Sequence, residues 1–197
     1  AVNNPEDENS GKHIIRFSRE LFIEQDDFME DGGPKFLRLG PGKEVRLKNA
    51  YIIRCDEDPA KCIEKDAEGN IVCVHATYDP DTRSGEPGAD RKIKGKTLHW
   101  VSVAHSCVCE VRDYDCLWTC ENPRDAIKQY EKENGVRGID AMRPFLNPNS
   151  LSVNTEARVE EYVTTLPVGS YLQFQRIGYY TIDKDTTAER MVFNKTV

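Results

Sequence analysis

Long apolar runs are missing from this sequence. No stretch approaches the ~20 residues that a membrane-spanning helix needs, so no helical membrane partner is expected within it. Hydrophobic residues make up only 38 % and charged residues 31 %, which leaves enough for a core but commits much of the chain to water. Catalytic signatures are also lacking: there is no G-x-x-x-x-G-K-[ST], no G-x-S-x-G and no H-E-x-x-H. The opening AVNNPEDENSGK has neither an apolar signal core nor an initiator methionine, so a fragment or processed product of a cytoplasmic protein is expected. C-x2-C pairs are absent too, although seven cysteines are present. An odd count without a secretory signal favours reduced thiols over a disulfide framework. The alternative is a zinc site from Cys107, Cys109, Cys116 and Cys120, whose spacing is irregular for that metal.

What is present is mostly two-residue alternation, the mark of β-strands. FSRELFIE (17–24), EVRLKNAYIIRC (44–55), RKIKGKTLHWVSV (91–103), CVCEVRDYD (107–115), SVNTEARVEEYV (152–163) and YLQFQRIGYYTID (171–183) read as strands. CIEKD and IVCVHATY flank Ala67-Glu68-Gly69-Asn70, which predicts a hairpin over 62–78. YDPDTRSGEPGAD is a loop by its Asp, Pro and Gly content, and 136–150 reads as a linker. One helix is expected: Asn122 caps it, Pro123 starts it, Asp125 lies in its first turn and Gly135 ends it. Its few apolar positions make it a surface helix. A mainly β fold of antiparallel barrels or sandwiches follows, with a composition break near 120–150.

The net charge is −7, which argues against indiscriminate binding to nucleic acid, DNA included, but not against a local basic patch. Such patches exist. Lys35 and Arg38 precede GKEVRLKNAY, which contributes Lys43, Arg46, Lys48 and Asn49. Arg91, Lys92, Lys94 and Lys96 cluster further on, and Gln173, Gln175 and Arg176 punctuate the last aromatic strand. On a strand, Arg46 and Lys48 share a face, as do Lys92, Lys94 and Lys96. Repeated cations suit a phosphate backbone, and the interleaved amides and aromatics suit unstacked bases. The plainer alternative is a solvated sheet face. His99 and His105 are expected at strand ends, bonded to backbone or packed on Trp100, and the acidic pairs Asp26-Asp27 and Glu160-Glu161 as solvated charges.

Six blocks occur in order: FSRELFIEQDDF, PGKEVRLKNAYII, TYDPDT, RKIKGKTLHWVS, LQFQRIGYYTID and VFNKTV. Together they resemble the C-terminal anticodon-binding region of glutaminyl-tRNA synthetase, a class I aminoacyl-tRNA synthetase. The eukaryotic-type glutamyl-tRNA synthetase shares that architecture, and a free-standing ribosomal RNA-binding protein of the L25 type is a further alternative.

The resemblance implies two antiparallel β-barrels, similar to ribosomal protein L25. The distal barrel is expected over 1–145, with a helical insertion near 119–145, and the proximal one over 146–197. It implies a non-catalytic segment of a glutamine–tRNA ligase. ATP and Mg would belong to a catalytic domain upstream, with no cofactor in this segment. The partner implied is the anticodon loop of a glutamine tRNA, bound by a monomer. By the same resemblance, Arg46 matches an arginine for the first anticodon base, beside Lys48, where relatives often carry Arg. Arg38 matches the arginine for the third base, with Lys35 nearby, and Leu37 replaces a residue that is often basic. Gln173 and Arg176 match the pair that reads the central uridine. The segments around 55–62 and 119–145 are insertions with no role to transfer.

Overall fold

A computed structural model describes residues 1–196; the last residue of the VFNKTV block lies outside them. The protein is mainly β and divides into two compact units, Ala1–Ser106 with Glu160–Val163, and Cys107–Val159 with Thr164–Val197. The first is built on β1 (Leu21–Phe22), β2 (Glu44–Leu47), β3 (Ile52–Cys55), the one-turn helix α1 (Pro59–Cys62), β4 (Ile63–Lys65), β5 (Ile71–Val74), β6 (Ala76–Asp79), β7 (Thr97–Leu98) and β8 (Val101–Ser102). The second is built on β9 (Ser106–Tyr114), α2 (Pro123–Asn134), α3 (Ile139–Met142), β10 (Leu151–Glu160), β11 (Tyr171–Phe174), β12 (Gly178–Ile182) and β13 (Met191–Lys195). Among the described residues no helix is long and apolar enough to cross a membrane.

In the first unit a four-stranded sheet runs β6-β3-β2-β7, with two-stranded pairs β1-β8 and β4-β5. Alternation in EVRL sends Val45 and Leu47 inward, fully buried, and leaves Arg46 half-buried on the other face. They pack with Leu39, Ile53, Cys55, Leu98 and Trp100 into one core. In the second unit the order is β10-β9-β13-β12-β11. Its centre is β13, where Met191, Val192 and Phe193 are all buried. Phe174 stacks on Tyr180 at 4.4 Å and meets Phe193 at 5.3 Å.

Several expectations change. EVRLKNAYIIRC is not one strand but a hairpin, turning at Lys48–Ala50 with Asn49 in the left-handed region at φ 57°. YLQFQRIGYYTID is also a hairpin, because Arg176 at φ 66° turns the chain between β11 and β12. Residues 91–96 are not a strand, so Lys92, Lys94 and Lys96 do not share a strand face. The sheets are not purely antiparallel either: β2 pairs with β7, and β13 with β9, in parallel. Neither strand order, among the described residues, returns to its first strand. The compact units part near 106, where β9 becomes the ladder partner of β13.

The helix forms as its caps dictate. The Asn122 side chain accepts from the Asp125 amide, and Gly135 ends the helix at φ 70°. None of its residues is buried, and Tyr130 meets Phe145 edge-on at 5.7 Å. The stretch 136–150 is not a bare linker, since it carries α3 with Ala141 fully buried.

Candidate nucleic-acid interface

In the first unit the β2–β3 turn is clamped by its backbone. The Lys48 amide donates to the Leu98 carbonyl at 2.9 Å, and the Trp100 indole donates to the Lys48 carbonyl at 2.9 Å. Asn tolerates the left-handed conformation that the turn requires, so Lys48 and Asn49 are presented together, both exposed. Arg46, the third residue of β2, donates from its guanidinium to the Arg91 carbonyl at 3.0 Å. Arg91 itself forks onto Glu44 at 3.2–3.3 Å and pairs with Asp79 at 3.3 Å. Its charge is therefore matched inside the protein, and it braces β2 against the end of β6.

Arg38, Lys92 and Lys94 come together in the wall of a cavity of about 490 Å³, which also meets Lys43 and Arg54. Lys43 is spent on structure: its ammonium donates to the Gly33 and Phe36 carbonyls, both at 2.7 Å, and lies 5.0 Å from the Phe36 ring centroid. Arg54 pairs with Glu57 at 2.8 Å. Lys92 and Lys94, like Lys35 and Lys48, are exposed and carry no ion pair among the described residues. A concave surface with uncompensated cations focuses a positive potential locally, even on an acidic chain.

Arg38 is oriented by a group that the sequence hides. Asp27 is fully buried, and its carboxylate lies 3.4 Å from Arg38 Nε. The guanidinium also donates to the Asp26 carbonyl at 2.9 Å, and the Leu39 amide donates to the Asp27 carbonyl at 3.0 Å. The expected solvated pair Asp26-Asp27 is thus half wrong. A buried carboxylate is tolerable only when paired and hydrogen-bonded, and Arg38 supplies that pairing from eleven positions away, beyond any local pattern.

In the second unit the β11–β12 hairpin carries the other candidates. Gln173 and Tyr179 are register partners, and the Gln173 amide donates to the Tyr179 hydroxyl at 3.4 Å. Both are exposed, as are Tyr171 and Arg176. Arg176 sits at the tip of the three-residue loop, where glycine is the usual occupant. A non-glycine residue at φ > 0 is an uncommon choice that tends to mark function. Tyr179 was not singled out from the sequence; its pairing with Gln173 appears only once the hairpin register is known.

All seven cysteines are free thiols. Cys107, Cys109, Cys116 and Cys120 do not converge on a common point among the described residues. Burial pushes the Cys55 and Cys109 thiols up to about 12, with Cys62 and Cys107 respectively adding to the rise, and burial also raises Cys62. Only the thiolate is nucleophilic. Alkylation of the native protein in chelating buffer at mildly alkaline pH is therefore expected to label the exposed Cys73 and Cys116 first. Cys55, Cys62 and Cys109 should react only after denaturation. Peptide mapping of a time course reads this, and early labelling of Cys109 would contradict it.

Two family models match the chain. Both are described as tRNA synthetases class I (E and Q), anti-codon binding domain, one over residues 1–79 and the other over residues 97–183. Among curated proteins, a glutamine–tRNA ligase of Rhodopirellula baltica is 44 % identical over 197 residues, 100 % of this chain and 30 % of that protein. One from Nitrobacter winogradskyi is 40 % identical over 197 residues, covering 100 % of this chain and 32 % of that protein. One from Clostridioides difficile is 38 % identical over 196 residues, covering 99 % and 32 %. The chain thus spans 30–32 % of the length of these relatives. Taken together, two matches of one description, and relatives alike along nearly all or all of this chain, show that the chain belongs to the anticodon-binding domains of the class I tRNA synthetases of the E and Q group.

Proposed function

We propose that this chain is the anticodon-reading part of a glutamine–tRNA ligase and binds the anticodon loop of a glutamine tRNA. The observation that carries the reading is identity of 38–44 % along the whole chain to proteins bearing that name. The geometry supports it: a cavity edged by Lys92 and Lys94, which carry no ion pair among the described residues, in one unit, and a hairpin presenting Gln173, Arg176 and Tyr179 in the other. In this reading Lys92 and Lys94 hold phosphates. Arg38 with Lys35, Arg46 with Lys48 and Asn49, and Gln173 with Arg176 address bases. Phosphate contacts position the loop, and base contacts specify it. Arg91 serves by bracing rather than by touching RNA. The chain has no chemistry of its own to perform, and attachment of glutamine with ATP and Mg falls to the catalytic part of the parent, a cytoplasmic monomer. A distal β-barrel over 1–145 and a proximal one over 146–197 complete the proposal.

The test is binding of the chain to glutamine tRNA and to the same tRNA altered at the central anticodon base, across a salt series. Tighter binding of the unaltered RNA at every salt concentration is expected. Equal affinity for the two would leave only a basic surface and overturn the reading.

A further inference from the structure

We infer that the β4–β5 hairpin holds a divalent transition-metal ion of the zinc class through Glu64, Cys73 and His75. One donor atom from each of the three lies within 4.8 Å of the others. The ladder explains the convergence. Glu64 and Cys73 are register partners across β4 and β5, and Cys73 and His75 lie two residues apart, which puts them on one face of an extended chain. The hairpin is fixed at both ends. The His75 amide donates to the Cys62 carbonyl at 2.8 Å, and Asp66 accepts from the Asn70 amide at 2.7 Å to close the turn. Lys65 is tied to Glu30 at 2.7 Å.

The donor set selects the ion. A thiolate, an imidazole and a carboxylate suit zinc or cobalt and are wrong for magnesium or calcium, which take oxygen ligands. A tetrahedral ion with bonds of about 2.0–2.3 Å places its donors roughly 3.5 Å apart, so rotation of exposed side chains closes the site. Without an ion, His75 Nε2 lies 2.6 Å from the Glu64 carboxylate, a pair held together by a proton. The ion takes the place of that proton, and the Cys73 thiol loses its own, so binding releases protons. All three side chains are exposed, leaving the fourth position to water. Two-stranded hairpins are marginal alone, and an ion joining β4 to β5 cross-links this one. The site is independent of the reading given for RNA. The cysteines that the sequence put forward for zinc lie elsewhere, and Cys73 was not among them.

The test is titration of the chelator-treated 197-residue chain with cobalt(II) chloride under a phosphine reductant. One equivalent should raise a thiolate-to-cobalt charge-transfer band, and excess magnesium should leave it unchanged. Cys73→Ser should abolish the band, and His75→Ala and Glu64→Gln should each weaken binding by at least the about 10- to 100-fold that even an outer-shell partner is worth. Cys116→Ser should change nothing. These side chains are exposed, so unaltered circular dichroism of every variant is expected. The inference is overturned by absence of the band from the wild-type chain, by its survival in Cys73→Ser, or by its loss in Cys116→Ser. Should Cys73→Ser misfold, a wild-type-like titration of His75→Ala overturns it equally.

Discussion

Gly95→Ala is expected to destabilise the first unit by about 1–3 kcal/mol, the usual cost of forcing atoms into filled space. A Cβ on Gly95 would stand 1.8 Å from the Glu44 carbonyl oxygen and 2.9 Å from its carbon. Both are backbone atoms of the central strand pair and cannot swing aside as a side-chain tip would. The segment is also pinned on either flank, since the Arg46 amide donates to the Lys96 carbonyl at 3.2 Å and the Lys96 amide to the Leu37 carbonyl at 2.8 Å. Relief therefore requires residues 91–96 to lift away from β2, carrying Lys92 and Lys94 away from Arg38 in the cavity wall. Affinity for tRNA should fall although no charge has been removed. Lys94→Ala is the counterpart: its exposed side chain makes no ion pair among the described residues, so stability should stay put. Binding to all RNAs should weaken alike, with the salt slope smaller by up to about 1. Urea unfolding and a salt series of tRNA binding on both variants read the two effects separately. A wild-type unfolding midpoint for Gly95→Ala would mean that the close approach does not exist.

Arg176→Ala should cost about 1–3 kcal/mol of affinity for the unaltered tRNA, or about five- to 150-fold, the scale of a base-edge contact. For a tRNA already altered at the central anticodon base the same substitution should cost little. The expectation rests on the hairpin tip, where Arg176 at φ 66° occupies a place that glycine fills more comfortably. That strain separates the two roles the residue can have. Arg176→Gly relieves it and should leave folding stability roughly unchanged, whereas Arg176→Ala keeps it. Both should lose the same discrimination between the RNAs. If either variant weakens the two RNAs equally, Arg176 holds phosphate or shapes the loop, and base reading at this position is lost as an account.

Local pattern determined which residues face inward and where chains of one period begin. Val45 and Leu47 are buried and Arg46 is not, because alternation on a pleated strand leaves no other choice. Asn122, Pro123 and Gly135 bound α2, because caps satisfy orphan amides within a few residues. The ordered blocks carried the family. Tertiary structure decided where alternating stretches fold back and what pairs across distance. Nothing in LQFQRIGYY announces a turn, since Arg seldom adopts positive φ, yet β11 and β12 pair in register and Phe174 packs on Tyr180 and Phe193. The lysines of RKIKGK alternate like a strand, yet the close approach of Gly95 to Glu44 keeps them in an irregular segment at a cavity rim. Asp27 looks like a surface acid until Arg38 is brought beside it. Glu64, Cys73 and His75 meet only in one register of β4 and β5. Sequence periodicity encodes a face, but a partner across the fold is chosen by the free energy of packing whole segments together, which no window of neighbouring residues contains.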